Sequence, residues 1–269
     1  MEVEVYDDLT CIKLTRSLNK IKMHVYLYIF DGVLIDSGPN YLKEITLPYL
    51  ENQSFNDVIF THSHEDHVGI GYELQQMGKQ LWIHETGLGE ITKKSKLPLY
   101  RRVFWRKREA FSAKPLANIF ESKHYQWEVI HTPGHSDDHV SLYLRDKKWM
   151  FTGDLFVQTH PKSFYKFESF YEQVDSLKKM LSYDIDLIIC QHSGIHQSKH
   201  LLERKLHYLT QLERDVTNLF TEGKSIKEIR KELFPRKHVL ERISFGESSP
   251  EHFIKEIIKK TSENNPNNR

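Results

Sequence analysis

Between Thr61 and Gly69 the chain reads THSHEDHVG, which sets His62, His64, Asp66 and His67 within six positions. For a chain of 269 residues with 16 His, three imidazoles at these offsets together with an acid arise by chance roughly 0.01 times. The cluster therefore calls for a cause, and metal binding supplies one. Neutral imidazole and carboxylate are good ligands for zinc and for iron or manganese, and a catalytic site keeps a coordination position open for water. At a turn beyond the apolar run DVIFT, His62 and His64 can be aimed to one side and Asp66 and His67 to the other, toward two adjacent ions. Further candidates close other apolar runs: His135 in TPGHSDD, Asp154 in FTGDLF and His192 in CQHSG. Two cations sharing one water lower its pKa to about 7, so hydroxide becomes available at neutral pH for attack on a carbonyl or phosphoryl centre. The remaining histidines, His84 and His139 among them, read as surface or internally bonded side chains. Asp137 and Asp138 read as solvated.

Something must carry these residues to one place, and the pattern around them is of short strands with helices between. The runs CIKLTRS, MHVYLYIF and GVLIDSG are rich in Val, Ile and Tyr, with turn residues at Asn19 and at Asp31-Gly32 that predict hairpins. DVIFTH, QLWIHE, WEVIHT, VSLYLR, KWMFTG and DLIICQ follow, several ending on His or Asp, which is where sites gather. A helix is expected over Leu42 to Asn52, and another from Ser169, where Ser169-x-x-Glu172 makes a capping box. Beyond Lys199 the strand signal stops. Leu202, Leu206, Leu209, Leu212, Val216 and Leu219 repeat at helical spacing up to Gly223, Ser225-x-x-Glu228 caps a further helix ended by Pro235, and Ser248 or Ser249 with Pro250 opens a last one. The leucine stripe is expected to pack on the strand-rich part or on a second copy of the chain, so a homo-oligomer is one expectation.

The ordered set THSHEDHVG, TPGHS, FTGDLF and a late strand-end His resembles the metallo-β-lactamase-fold hydrolase superfamily. The resemblance implies an α/β (α+β) fold, a four-layer αββα sandwich with a dinuclear site at one edge of two packed sheets. It further implies that His62, His64 and His135 hold one metal, that Asp66, His67 and His192 hold the second, and that Asp154 bridges both. Asp36, in LIDSG, matches a family LIDTG element and is expected to orient a ligand from behind. Gln191 stands before His192 where the family usually has Gly. The expected organisation is a catalytic domain over 1–198, with a lid insertion at 93–120, a helical appendage over 199–262 and a disordered tail at 263–269.

Composition narrows the function classes. The 38 Lys and Arg nearly cancel the 37 Asp and Glu, so no global field selects nucleic acid or a membrane. Residues 93–114 differ, with nine basic residues against one Glu and with Tyr100, Phe104, Trp105 and Phe111 interleaved. They read either as a lid attracting an anionic substrate or as a solvated helix with one apolar stripe. The two cysteines, Cys11 and Cys190, lack metal-site or disulfide spacing and read as buried apolar residues. The acidic start and the shortness of every apolar run argue for a cytoplasmic chain without a membrane span. The expected activity is hydrolysis of a thioester, lactone or related small ester by a hydroxide bridging two divalent ions, Zn2+ first and Mn2+ or Fe next, with Asp66 orienting that hydroxide. Cleavage of single-stranded RNA at the same site is the alternative. A mononuclear-iron dioxygenase and a non-catalytic, metal-stabilised binding module are further ones.

Overall fold

The computed structural model describes residues 1–18 and 21–263, so the expected turn at Asn19 and most of the expected tail, 264–269, lie outside the described residues. The strands form two sheets. The first runs in sequence order through β1 (Glu2–Tyr6), β2 (Leu9–Leu18), β3 (Ile21–Phe30), β4 (Val33–Ile35), β5 (Asp57–Ile59), β6 (Gln80–Ile83) and β7 (Lys114–Pro115). Its first four strands are antiparallel and its last four parallel. The Asp31-Gly32 hairpin is present between β3 and β4, and both turn residues take positive φ, 49° and 80°. That pairing of signs matches the twist of the flanking strands and explains the Gly.

The second sheet comprises β8 (Ile119–Glu121), β9 (Gln126–His131), β10 (Val140–Leu144), β11 (Trp149–Phe151), β12 (Leu187–Cys190) and β13 (Gly194–His196), in the spatial order β13-β12-β11-β10-β9-β8. Alternate residues from both sheets meet in one core. Leu9, Tyr28, Phe30, Val33, Ile35 and Ile59 come from the first sheet, and Trp127, Val129, Leu142, Leu144, Phe151 and Ile189 from the second. The period of two along each strand is what drives the sheets face to face, and each large side chain so buried contributes about 2 kcal/mol. Both cysteines are free and buried.

Two compact units divide the chain. The first comprises 1–132, 137–157 and 184–199 and contains both sheets with α1 (Lys43–Leu50), α2 (Gly71–Gln76), α3 (Leu88–Ile91) and α4 (Leu99–Trp105). The expected helix over Leu42 to Asn52 is α1, preceded by one 3-10 turn at Asn40–Leu42. The second unit comprises 133–136, 158–183 and 200–269. It holds α5 (Phe170–Leu181), α6 (His200–Thr221), α7 (Ile226–Leu233), α8 (Val239–Ile243) and α9 (Glu251–Glu263). The helical unit thus draws in a segment that lies in sequence between β11 and β12. The stripe of α6 buries Leu202, Leu209, Leu212 and Val216, and α6 packs against α5, α7 and α9 of its own unit. The Ser225-Glu228 box closes in both directions. At Ser169 only the forward bond forms, because the Ser169 N–H that would complete the box donates to the Gly134 carbonyl at 2.8 Å, while Glu256 of α9 accepts from the Ser169 hydroxyl and the Phe170 N–H.

Candidate metal centre

Asp36 follows β4, the THSHEDH turn follows β5, Asp154 follows β11 and His192 follows β12. Parallel neighbours in a sheet end at the same edge, so β4 with β5, and β11 with β12, deliver their following residues side by side. The chain needs Gly at the end of the turn, since a Cβ on Gly69 would press on the backbone of Asn40, Gly38 and Glu65. The turn itself is closed by the His67 and Val68 amides donating to the His64 carbonyl, both at 3.0 Å.

Within the first unit these elements bring Asp66, His67, Asp154 and His192 together. His192 Nε2 lies 3.4 Å from Asp66 Oδ2 and 3.2 Å from Asp154 Oδ2. His67 Nε2 lies 3.4 Å from Asp154 Oδ1 and 3.9 Å from Asp66 Oδ2. The ligand atoms of Asp66, His67 and His192 fall within 4.8 Å of one another, as do those of His62, His67 and Asp154. Ligands about 2.1 Å from a tetrahedral ion stand roughly 3.4 Å apart, so the spacing is that of atoms sharing a cation. His62 is fully buried, its Nε2 2.9 Å from Nδ1 of the half-buried His64.

The His67 and His192 imidazoles are each turned by a partner behind the ring. Asp36 is completely buried, takes the left-handed φ of 57°, and accepts from the Thr61 amide at 2.8 Å and the Thr61 hydroxyl at 3.0 Å. Its Oδ2 also accepts His67 Nδ1–H at 3.0 Å. The His24 carbonyl accepts His192 Nδ1–H at 2.7 Å. With Nδ1 engaged, Nε2 is the atom presented to the cluster, and His67 Nε2 is buried without a hydrogen bond among the described residues. A buried orphan nitrogen facing two carboxylates has the chemistry of a ligand. His135 lies on the 133–136 turn of the second unit, whose flanking residues Thr132 and Asp137 belong to the first. Its Nδ1 is held by Glu168 Oε1 at 2.8 Å.

The electrostatics favour cations. Burial works against charge on every group, yet the carboxylates of Asp154, Asp36 and Asp66 push His67 well above the ordinary imidazole range, and Asp154 and Asp66 do the same to His192. Reciprocally, against the same burial, His67 and His192 hold the Asp66 and Asp154 carboxyls below the usual carboxylate range.

Three supporting residues escaped the sequence reading, and a fourth, His139, is internally bonded as expected but bonds to the site itself. His139 is buried, its Nε2 accepts the Asp154 amide at 3.0 Å, and a Cβ on Gly153 would run into its ring. Asp138 is buried rather than solvated, because its Oδ2 accepts the Ser63 amide at 2.8 Å inside the histidine turn. Asp137 is exposed, as expected. Glu65 is buried against Arg101 of α4, whose Nη2 donates to Oε2 at 2.7 Å. Glu168 completes the set. Only the HSDDH stretch carried a local hint of any of them. Of the basic segment, Arg101 and Arg108 are internal: the Arg108 guanidinium donates to the carbonyls of Ile91, Lys93, Glu109 and Glu90. Gln191 lies in the turn after β12, and its carbonyl accepts the Tyr26 amide of β3, in the other sheet, at 2.7 Å, while the buried side-chain amide has no hydrogen-bond partner among the described residues.

Comparison with known proteins agrees with this fold. Beta-lactamase-like protein 2 homolog from Drosophila melanogaster is 24% identical over 204 residues, 71% of this chain and 64% of that protein. Hydroxyacylglutathione hydrolase GloC from Haemophilus influenzae is 31% identical over 109 residues, 38% of this chain and 50% of that one. The chain therefore spans between half and two thirds of the length of these curated relatives. The crystal structure of a metallo-beta-lactamase family protein from Thermus thermophilus superimposes with a TM-score of 0.68 over 95% of each chain at 18% identity, a likeness of fold. A beta-lactamase domain protein from Burkholderia ambifaria gives 0.71 over 97% of this chain and 88% of that one, at 15% identity. The family model of the metallo-beta-lactamase superfamily matches residues 31–192, from the hairpin before Asp36 to the strand-end histidine, and the chain belongs to that superfamily.

Proposed function

We propose that this chain is a metal-dependent hydrolase that cleaves a thioester, lactone or related small ester at a two-metal centre. The observation that carries the reading is the ring of Asp66, His67, Asp154 and His192, whose imidazole Nδ1 atoms are engaged from behind and whose remaining ligand atoms face one another at 3.2 to 3.9 Å. In this reading Asp66, His67 and His192 hold one ion, His62, His64 and His135 hold the other, and Asp154 lies between. Zn2+ suits the His and Asp donors, as do Mn2+ and Fe. When bound, the ions supply Lewis acidity toward the electrophilic oxygen and toward water. Asp66 orients the attacking water through its carboxylate, Asp36 and the His24 carbonyl keep the imidazoles aimed, and His139 holds the Asp154 backbone. A thiolate or enolate leaves without a proton donor. The thioester choice draws support from the Haemophilus relative, whose name describes an acyl-glutathione hydrolase.

The test is a panel of thioesters, lactones, phosphodiesters and short single-stranded RNA, assayed on protein whose metal content is measured by plasma mass spectrometry. Two equivalents of zinc or manganese with ester turnover are expected, and Asp66→Ala should abolish that turnover while leaving the melting temperature nearly unchanged. One equivalent of iron with oxygen consumption would assign the dioxygenase chemistry instead. Cleavage confined to RNA would assign the nuclease chemistry.

A further inference from the structure

Near the metal turn, three side chains from three separate segments converge without a carboxylate to neutralise them. The Arg16 guanidinium of β2 sits 3.7 Å from the centre of the Tyr41 ring, and that of Arg106, which follows α4, sits 4.8 Å from the same ring. Neither arginine forms an ion pair with an acidic side chain among the described residues. Arg16 Nη1 donates to the Ser17 carbonyl, yet its Nε is buried with no hydrogen-bond partner among the described residues. Arg106 is exposed beside this ring, and the cost of burying the unpaired Arg16 donor is one that an oxyanion relieves. Arg106 adds the left-handed φ of 62°, a conformation that disfavours any residue but glycine and that the fold nevertheless maintains.

Short backbone links connect the segments that carry this group to the metal cluster, all within the first unit. Arg16 adjoins Thr15, whose hydroxyl lies 2.9 Å from His24 Nδ1, and the His24 carbonyl holds His192. Tyr41 adjoins Asn40, whose backbone touches the space at Gly69 and whose Nδ2 donates to the Lys107 carbonyl at 2.6 Å. We infer that Arg16, Tyr41 and Arg106 form an oxyanion-recognition site that grips a carboxylate or phosphate carried by the substrate away from the bond to be cut. The inference rests on the hydrolase reading for its role and on the three side chains for its existence. Tyr41 serves as the platform that keeps both guanidiniums in place, and Arg16 supplies the donor that otherwise has no acceptor.

Two measurements test it. The first compares kcat/KM on a dicarboxylate thioester, lactoylglutathione, with that on an uncharged acyl-N-acetylcysteamine thioester. Arg16→Gln and Arg106→Gln should each lower the charged-to-uncharged ratio about tenfold, with Arg16→Lys recovering part of it. The second follows the melting temperature of metal-loaded protein in inorganic sulfate at constant ionic strength. Wild type should rise saturably, and the Arg16→Gln/Arg106→Gln variant should lose that rise. An unchanged ratio, or a double variant that keeps the wild-type sulfate response, overturns the site. If wild type cleaves neither thioester, the hydrolase reading falls while the sulfate experiment still decides the site.

Discussion

Asp36 shows how much one side chain can govern. It receives the Thr61 amide, the Thr61 hydroxyl and the His67 ring from a position with no solvent exposure. Asp36→Asn keeps the shape but replaces one acceptor oxygen by a donor, so metal affinity should fall about 10- to 100-fold. Chelator competition on the folded variant reads this directly. The raised pKa values of His67 and His192 give a pH dependence with a definite sign. In the metal-free protein both rings hold protons at neutral pH, so binding must release them and affinity should climb from pH 6 to pH 8. Metal-free stability should run the other way: what these two rings contribute is complete below about 6.5 and is lost as pH rises through their raised values. Competition titrations and melting curves over the same pH range check both trends.

At the scale of elements, α4 is tied to the histidine turn by a buried ion pair rather than resting there as a solvated helix. Arg101→Ala leaves the Glu65 carboxylate buried beside Asp66 without its partner, and a loss of about 3–5 kcal/mol is expected in denaturant unfolding. Replacing both partners, as Glu65→Leu with Arg101→Met, should recover most of it. Gln191 offers the opposite prospect. Its amide is buried without a hydrogen-bond partner among the described residues, so Gln191→Met removes an unmet polar group at nearly constant volume. The gain should be roughly 1–3 kcal/mol, visible as a higher melting temperature. The strand ends of the first unit were legible from the sequence because strand residues alternate and then stop at Asp or His. The Glu65–Arg101 tie was not, because 36 positions separate its partners and neither belongs to a local pattern.

At the scale of the whole chain, the helical unit is assembled from three separated stretches, and 158–183 belongs with the C-terminal helices. Phe170 of α5 stands 5.2 Å from Phe253 of α9, and Phe164 stacks on the same ring at 3.8 Å. A chain stopped at residue 199 would expose Phe164 and Phe170 together. It should bind a hydrophobic dye and aggregate on purification, whereas a fully soluble, cooperatively melting fragment would contradict this division.

The residues by themselves pointed to the His and Asp side chains that the fold gathers, the hairpin at Asp31-Gly32, the alternating core strands and the capped helices. Each of these depends on neighbours within a few positions, where side-chain spacing alone sets geometry. Tertiary structure decided which nitrogen of each imidazole faces the cluster, which arginines of the basic segment are internal, and that Asp138 and His139 support the site. Those outcomes follow from the register of strands distant in sequence, because a buried polar atom takes whatever partner packing brings to it.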